Sequence, residues 1–154
     1  MRILLIQPAS LDDALARDAL SMFEPLALEY LAAGCAGHHD VRILDMRLDT
    51  GLDACLRDFR PQVVGITAYT VHVNGVKGLF EEVRVFDRDI ITVAGGHHAT
   101  VMPEDFCIPS VNAVVAGEGV FPFRDLLECL EKNGDIGRIY ILTPQEQAQF
   151  VPKR

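Results

Sequence analysis

The sequence predicts an α/β fold, a parallel sheet with helices on both faces. Three observations predict it. Short aliphatic runs alternate with stretches whose apolar residues recur at helical spacing. The run Ile3 to Ile6 is apolar without a break, as a strand buried on both faces is. Two successive runs, ending at Ala94 and Ala116, stop at glycines, Gly95-Gly96 and Gly117-Glu118-Gly119. Strand ends of that kind bring backbone close to a flat or phosphorylated ligand.

Arg2 to Gln7 is the first strand, bounded by Pro8. Pro8 to Phe23 is a polar connector, long for its place, with a short helix expected over Ala14 to Leu20. Pro25 suits the first position of a helix, where its missing N–H costs nothing. Leu28, Leu31, Ala32 and Cys35 form that helix's stripe, and Gly37 suits its end. Val41 to Asp45 alternates polar and apolar residues, as an edge strand does. Thr50 with Asp53 resembles a capping box, followed by the stripe Leu52, Leu56, Phe59, with Pro61 beyond the end.

Val63 to Thr67 is the third strand. Val73, Val76, Leu79, Phe80, Val83 and Phe86 mark a helix of strong 3.6 period. Gly75 and Gly78 inside it cost about 1 kcal/mol each against Ala, so close packing is expected there. Ile90 to Ala94 and Val111 to Ala116 are the fourth and fifth strands, with a short helix expected over Thr100 to Phe106 and Thr100 as its cap. Phe123, Leu126, Leu127 and Leu130 face the core from the last helix. Arg138 to Thr143 reads as an extra strand, and the residues after it as a loose tail. Five parallel strands of this kind suit a flavodoxin-like (Rossmann-like) three-layer sandwich, order 2-1-3-4-5.

Composition narrows function. The 154 residues fit one domain. Net charge is −8, with no clustered Lys or Arg, which argues against a nucleic-acid surface. No apolar run approaches the ~20 residues that span a bilayer, and Met1 to Ile6 is too short for a signal peptide. A cytosolic protein is expected. Cys35, Cys55, Cys107 and Cys129 stand in no metal-binding spacing and read as reduced thiols. No GxGxxG follows the first strand and no GxxxxGK[ST] occurs.

A ligand in such a fold lies over the carboxyl ends of the strands. That gathers Pro8 from the first loop and Thr67, Ala68, Tyr69 and Thr70 from the third. It adds Gly95, Gly96, His98, Ala99 and Thr100 after the fourth strand, and Gly117, Glu118 and Gly119 after the fifth.

Four stretches here resemble one family. Pro25-Leu26-Ala27-Leu28-Glu29-Tyr30-Leu31-Ala32-Ala33 resembles the Pro-Leu-Gly-x-x-Tyr-Leu-Ala-Ala helix of cobalamin-binding domains that precede radical S-adenosylmethionine (radical SAM) modules. Val63 to Thr67 is similar to their third strand. Ala94 to Glu104 is similar to their GGxHxTxxPE signature, and Val114 to Gly119 to their V-V-x-G-E-G turn. The order and spacing agree over roughly residues 1 to 131. Two positions depart: Ala27 stands for the glycine of the first motif, and Val120 for the final acid of GEGE.

The resemblance implies a domain over 1–134 that buries the nucleotide tail of cobalamin, with the corrin over the strand ends. Gly65, Gly95 and Gly96 would line the tail's slot, Thr67 and Thr70 would hydrogen-bond it, and His98 and Thr100 would organise it. It also implies a linker over 135–154 leading to a radical SAM module that carries a [4Fe–4S] cluster and S-adenosylmethionine, making the whole a B12-dependent methyltransferase or cyclase acting on a small molecule. This domain alone lacks CxxxCxxC and is not catalytic by itself. Pro8 to Phe23 holds no histidine, so no lower cobalt ligand comes from that loop; the nearby candidates are Tyr69 and His72. His38 and His39 are expected to suit a helix end as cations. The alternative function is a flavin carrier or signalling receiver on the same fold. Ala68-Tyr69 and Gly117 stand where a receiver needs its phospho-acceptor Asp and its Lys.

Overall fold

Each aliphatic run forms a strand, and all the strands run parallel. The structure, a computed structural model, describes residues 1–9, 24–49, 51–133 and 140–142. In order these give β1 (Arg2–Gln7), α1 (Leu26–Cys35), β2 (Asp40–Asp45), α2 (Leu52–Phe59), β3 (Val63–Thr67) and α3 (Val73–Phe86). Then come β4 (Ile91–Gly95), α4 (His97–Val101), β5 (Ala113–Val115), α5 (Val120–Asn133) and β6 (Tyr140–Leu142). The sheet order is β2-β1-β3-β4-β5-β6. The predicted five-strand order 2-1-3-4-5 holds, and the extra strand extends it beyond β5. The short helix expected over Ala14 to Leu20 and the tail after residue 143 lie outside the described residues.

Side-chain parity divides the core in two. Leu4 and Ile6 of β1, Val64 and Ile66 of β3, Ala94 of β4 and Val114 of β5 face α2 and α3. Ile3 and Leu5, Val63, Val93, and Ala113 and Val115 face α1 and α5. The predicted helix stripes are the buried faces: Leu52, Leu56 and Phe59, then Val76, Phe80 and Val83, then Phe123, Leu126, Leu127 and Leu130. Polar β2 is the edge strand, as its alternation required. On the α1/α5 face the helices approach closely. A β-carbon on Gly34 of α1 would stand 2.8 Å from Val120 Cγ1.

Several local expectations need correction. Pro25 caps α1 rather than starting it, and its carbonyl accepts from Leu28 N–H at 2.8 Å. The cap of α2 is Gly51, without a side-chain capping bond; Thr50 lies outside the described residues. Gly75 and Gly78 meet nothing within 4 Å of a built β-carbon, so no close packing requires them. The expected helix over Thr100 to Phe106 is two pieces, α4 and a 3-10 turn over Pro103–Phe106. The break at Met102 precedes Pro103, whose ring disfavours helical backbone in the residue before it. At His39 the surroundings oppose the expected cation: burial first, then the Met1 ammonium 3.3 Å from Nδ1, push its pKa down, against Glu131 at 3.6 Å. Among the described residues no disulfide joins any of the four cysteines. Among the described residues no helix is long and apolar enough to cross a membrane.

Phe80 is fully buried and packs edge-on against Phe106, ring centroids 6.3 Å apart. Phe80→Ala removes that contact and leaves a cavity, and is expected to lower stability by about 3–5 kcal/mol. Urea denaturation followed by circular dichroism checks this.

Candidate ligand-binding site

The site follows from a gap in one face of the sheet. Leu5, Gly65 and Val93 stand side by side in register on β1, β3 and β4. All three positions face α1 and α5. Leu5 and Val93 fill their share of that layer, and Gly65 offers no side chain. One step nearer the strand ends, Thr67 pairs with Gly95. The second glycine again leaves the layer thin. A β-carbon at Gly65 would press on Leu5 Cδ2 at 3.0 Å, so Leu5 already leans over the gap.

Above these positions lies a cavity of about 460 Å³. That is within the ~300–1,000 Å³ of small-molecule pockets. Its floor is Leu5, Gly65, Thr67, Val93, Gly95 and Val115. Ala27, Leu28, Tyr30 and Leu31 of α1 form one wall, and Val120 and Phe123 of α5 the other. Gly96, Gly117, Glu118 and Gly119 stand at its open end. The interior is thus mostly aliphatic and aromatic, with polar groups near the strand ends. Such a slot suits an apolar, flat group entering from the carboxyl end of the sheet.

The rim is held by backbone geometry. Gly96 has φ 92° and ψ −170° and caps α4; that region is essentially reserved for glycine. A β-carbon on Gly96 would collide with Thr67 Oγ1 and come within 2.9 Å of Ala68 N. Ala68 N–H donates to Gly95 O at 2.8 Å, and His98 N–H to Ala68 O at 2.9 Å. Thr100 does not cap a helix. It is the fourth residue of α4; its hydroxyl donates to Gly96 O at 2.9 Å and accepts from Gly117 N–H at 2.9 Å. One hydroxyl therefore joins the loops after β4 and β5.

Of the residues singled out in the sequence, Thr67, Gly95, Gly96, Gly117, Glu118 and Gly119 line the cavity, as does Gly65. Pro8, Ala68, Tyr69, Thr70, His98, Ala99 and Thr100 do not line it. Ala68 and Ala99 are fully buried on the opposite face. His98 is 4% exposed, with Nε2 2.8 Å from Asp105 Oδ2 and Nδ1 3.1 Å from Thr70 Oγ1. The His98 bond, aided by Lys77, holds the Asp105 carboxyl below its ordinary pKa. Tyr69 is half exposed and meets the His72 ring edge-on at 6.2 Å. Burial pushes the His72 pKa down, and its Nδ1 has no hydrogen-bond partner among the described residues.

Sequence reasoning missed the walls. Leu28, Leu31 and Phe123 read only as core stripes, and Ala27 and Tyr30 only as part of the motif that carries the family resemblance. The available signal was the parity of β3, which puts Gly65 and Thr67 on the face that these helices cover.

Comparisons with known proteins bear on the family and the fold. Residues 13–127 match the family described as the B12 binding domain. An uncharacterized methyltransferase of Pyrococcus horikoshii is 30% identical over 155 residues, covering 97% of this chain and 34% of that protein. The chain thus spans about a third of the length of that curated relative. The solved structure of OxsB, a cobalamin-dependent S-adenosylmethionine radical enzyme with aqua-cobalamin bound, superposes with a TM-score of 0.71 at 15% identity. That likeness covers 99% of this chain and 22% of that one, and shows a shared fold.

The two adjacent glycines separate by experiment. Gly96→Ala is expected to cost about 1–3 kcal/mol, from its positive φ and the collision with the β3 loop. A β-carbon at Gly95 meets only Val115 O, at 3.8 Å, so Gly95→Ala is expected to change stability by less than about 1 kcal/mol. Thermal or urea unfolding of both variants checks the contrast.

Proposed function

This chain belongs to the B12-binding domain family, and from that premise we propose that its slot holds the nucleotide tail of a base-off cobalamin. The observation that carries the proposal is the row Leu5-Gly65-Val93 under α1 and α5. Its missing side chain opens an apolar slot of a size and lining that fit an aromatic base and its ribose. The family match falls on this reading rather than on a flavin carrier or receiver.

Leu28, Leu31 and Phe123 would cover the base, Gly65 and Gly95 would let it approach the sheet, and Thr67 would hydrogen-bond it. Gly96, Gly117 and Gly119 would admit the tail at the rim without β-carbons in its path. Glu118 stands exposed at the mouth, where it can accept hydrogen bonds from ligand amides. A tail held in the slot cannot ligate its own cobalt, and residues 8–23 contain no histidine to replace it. When bound, the cofactor supplies a cobalt centre for methyl transfer or cyclisation. In the whole enzyme we propose that a radical SAM module of the same polypeptide, with its [4Fe–4S] cluster and S-adenosylmethionine, works on a small substrate held against this domain. The similarity to a methyltransferase supports the methylating form.

Titration with hydroxocobalamin, followed by visible absorbance, tests the reading. A saturable change with Kd below about 100 µM, near −5.5 kcal/mol, is expected. Ala27 is exposed and lines the slot, so Ala27→Trp should weaken binding at least about tenfold with little change in melting temperature. No saturable change with the wild-type chain would sink the proposal.

A further inference from the structure

His98 joins two loops at the carboxyl end of the sheet, and its hydrogen bonds have a fixed sense. Nε2 lies 2.8 Å from Asp105 Oδ2 and Nδ1 lies 3.1 Å from Thr70 Oγ1. The Phe106 ring stands edge-on at 5.8 Å, and the His98 backbone N–H is tied to Ala68 O at 2.9 Å. An ionised carboxylate only accepts, so Nε2 carries the proton shared with Asp105. In the neutral ring that is the single N–H, which leaves Nδ1 as an acceptor. Thr70 must then donate its hydroxyl proton inward to Nδ1. A hydroxyl has one proton and two lone pairs. What remains outward is an oxygen that can only accept. Thr70 is exposed, three positions beyond Thr67, which lines the slot.

We propose that Asp105 and His98 are positioning residues that set Thr70 as an obligate hydrogen-bond acceptor at the carboxyl end of the sheet, outside the lining of the slot, for a donating ligand group of the carboxamide class. The corrin rim carries primary amides of that class, so this deepens, and rests on, the cobalamin reading above. Lys77, 3.7 Å from Asp105 Oδ1, supports the carboxylate from α3. The arrangement excludes a second donor at Thr70, so ligand groups that only accept, such as a phosphate oxygen, gain nothing there.

The test has two readouts. In the unliganded chain labelled with nitrogen-15 at histidine, two-bond proton–nitrogen correlations at about pH 8 report the tautomer. The signal assigned to His98 by its loss in His98→Asn is expected as a neutral ring protonated at Nε2. A ring protonated at Nδ1, or at both nitrogens, overturns the relay.

The second readout is hydroxocobalamin affinity in a double-mutant cycle. Thr70→Val and Asp105→Ala should each weaken binding about threefold to tenfold, the loss of one hydrogen bond. Thr70→Ser should stay near wild type, and the double variant should be no weaker than Thr70→Val alone. Additive losses in a wild-type chain that binds overturn the relay and leave the slot intact. A wild-type chain that does not bind removes the cobalamin reading, and with it the ligand assignment, whatever the tautomer shows.

Discussion

One constraint shapes the molecule: a layer of side chains is left incomplete between a parallel sheet and two helices. A parallel strand buried on both faces ordinarily supplies an apolar side chain at every position. β3 does so at Val63, Val64 and Ile66, and then withholds one at Gly65. The loss is local because its neighbours in register, Leu5 and Val93, are present and large. Helices α1 and α5 cannot settle into so narrow a gap. They meet each other instead, closely enough at Gly34 that a β-carbon there would stand 2.8 Å from Val120 Cγ1. The core elsewhere on that face is complete, through Ile3, Cys35, Leu126 and Leu127, so the domain can stay folded around an apolar slot.

The open end of the slot is held by hydrogen bonds rather than by packing. Three loops meet there, and each is tied to the next through main-chain groups. Ala68 bonds Gly95, His98 bonds Ala68, and the Thr100 hydroxyl spans Gly96 and Gly117. Glycines at these points let backbone meet backbone without intervening β-carbons. The same economy leaves peptide groups within reach of a ligand. Polar side chains that stabilise the rim sit behind it, on the α3 side, where His98 and Asp105 fix the β3 loop. The rim and the slot thus draw on opposite faces of one sheet.

Much of this was legible in the sequence. Periodicity located every strand from β1 to β5 and the buried faces of α2, α3 and α5, because burial imposes those periods directly. Glycine clusters located the rim, since only glycine tolerates the backbone that Gly96 and Gly117 adopt. What periodicity cannot tell is what a buried stripe faces. Leu28 and Phe123 carry the same spacing whether they cover a strand or a slot. Thr100 looked like a cap because helix starts favour threonine; Gly96 takes that place, and the hydroxyl bridges two loops. His98 and Asp105 are joined across the helix break at Met102, and His39 meets Met1 from 38 residues away. Pairings that depend on how the chain turns back leave no local trace.

The central claim is that ligand enters on the α1/α5 face of the sheet and nowhere else. Methyl-selective NMR of the chain, with and without diamagnetic hydroxocobalamin, measures this most directly. Shifts are expected only at Leu5, Leu28, Leu31, Val93 and Val115, with Leu56, Val76 and Val83 on the other face unmoved. Shifts on the α2/α3 face with a silent slot would contradict it.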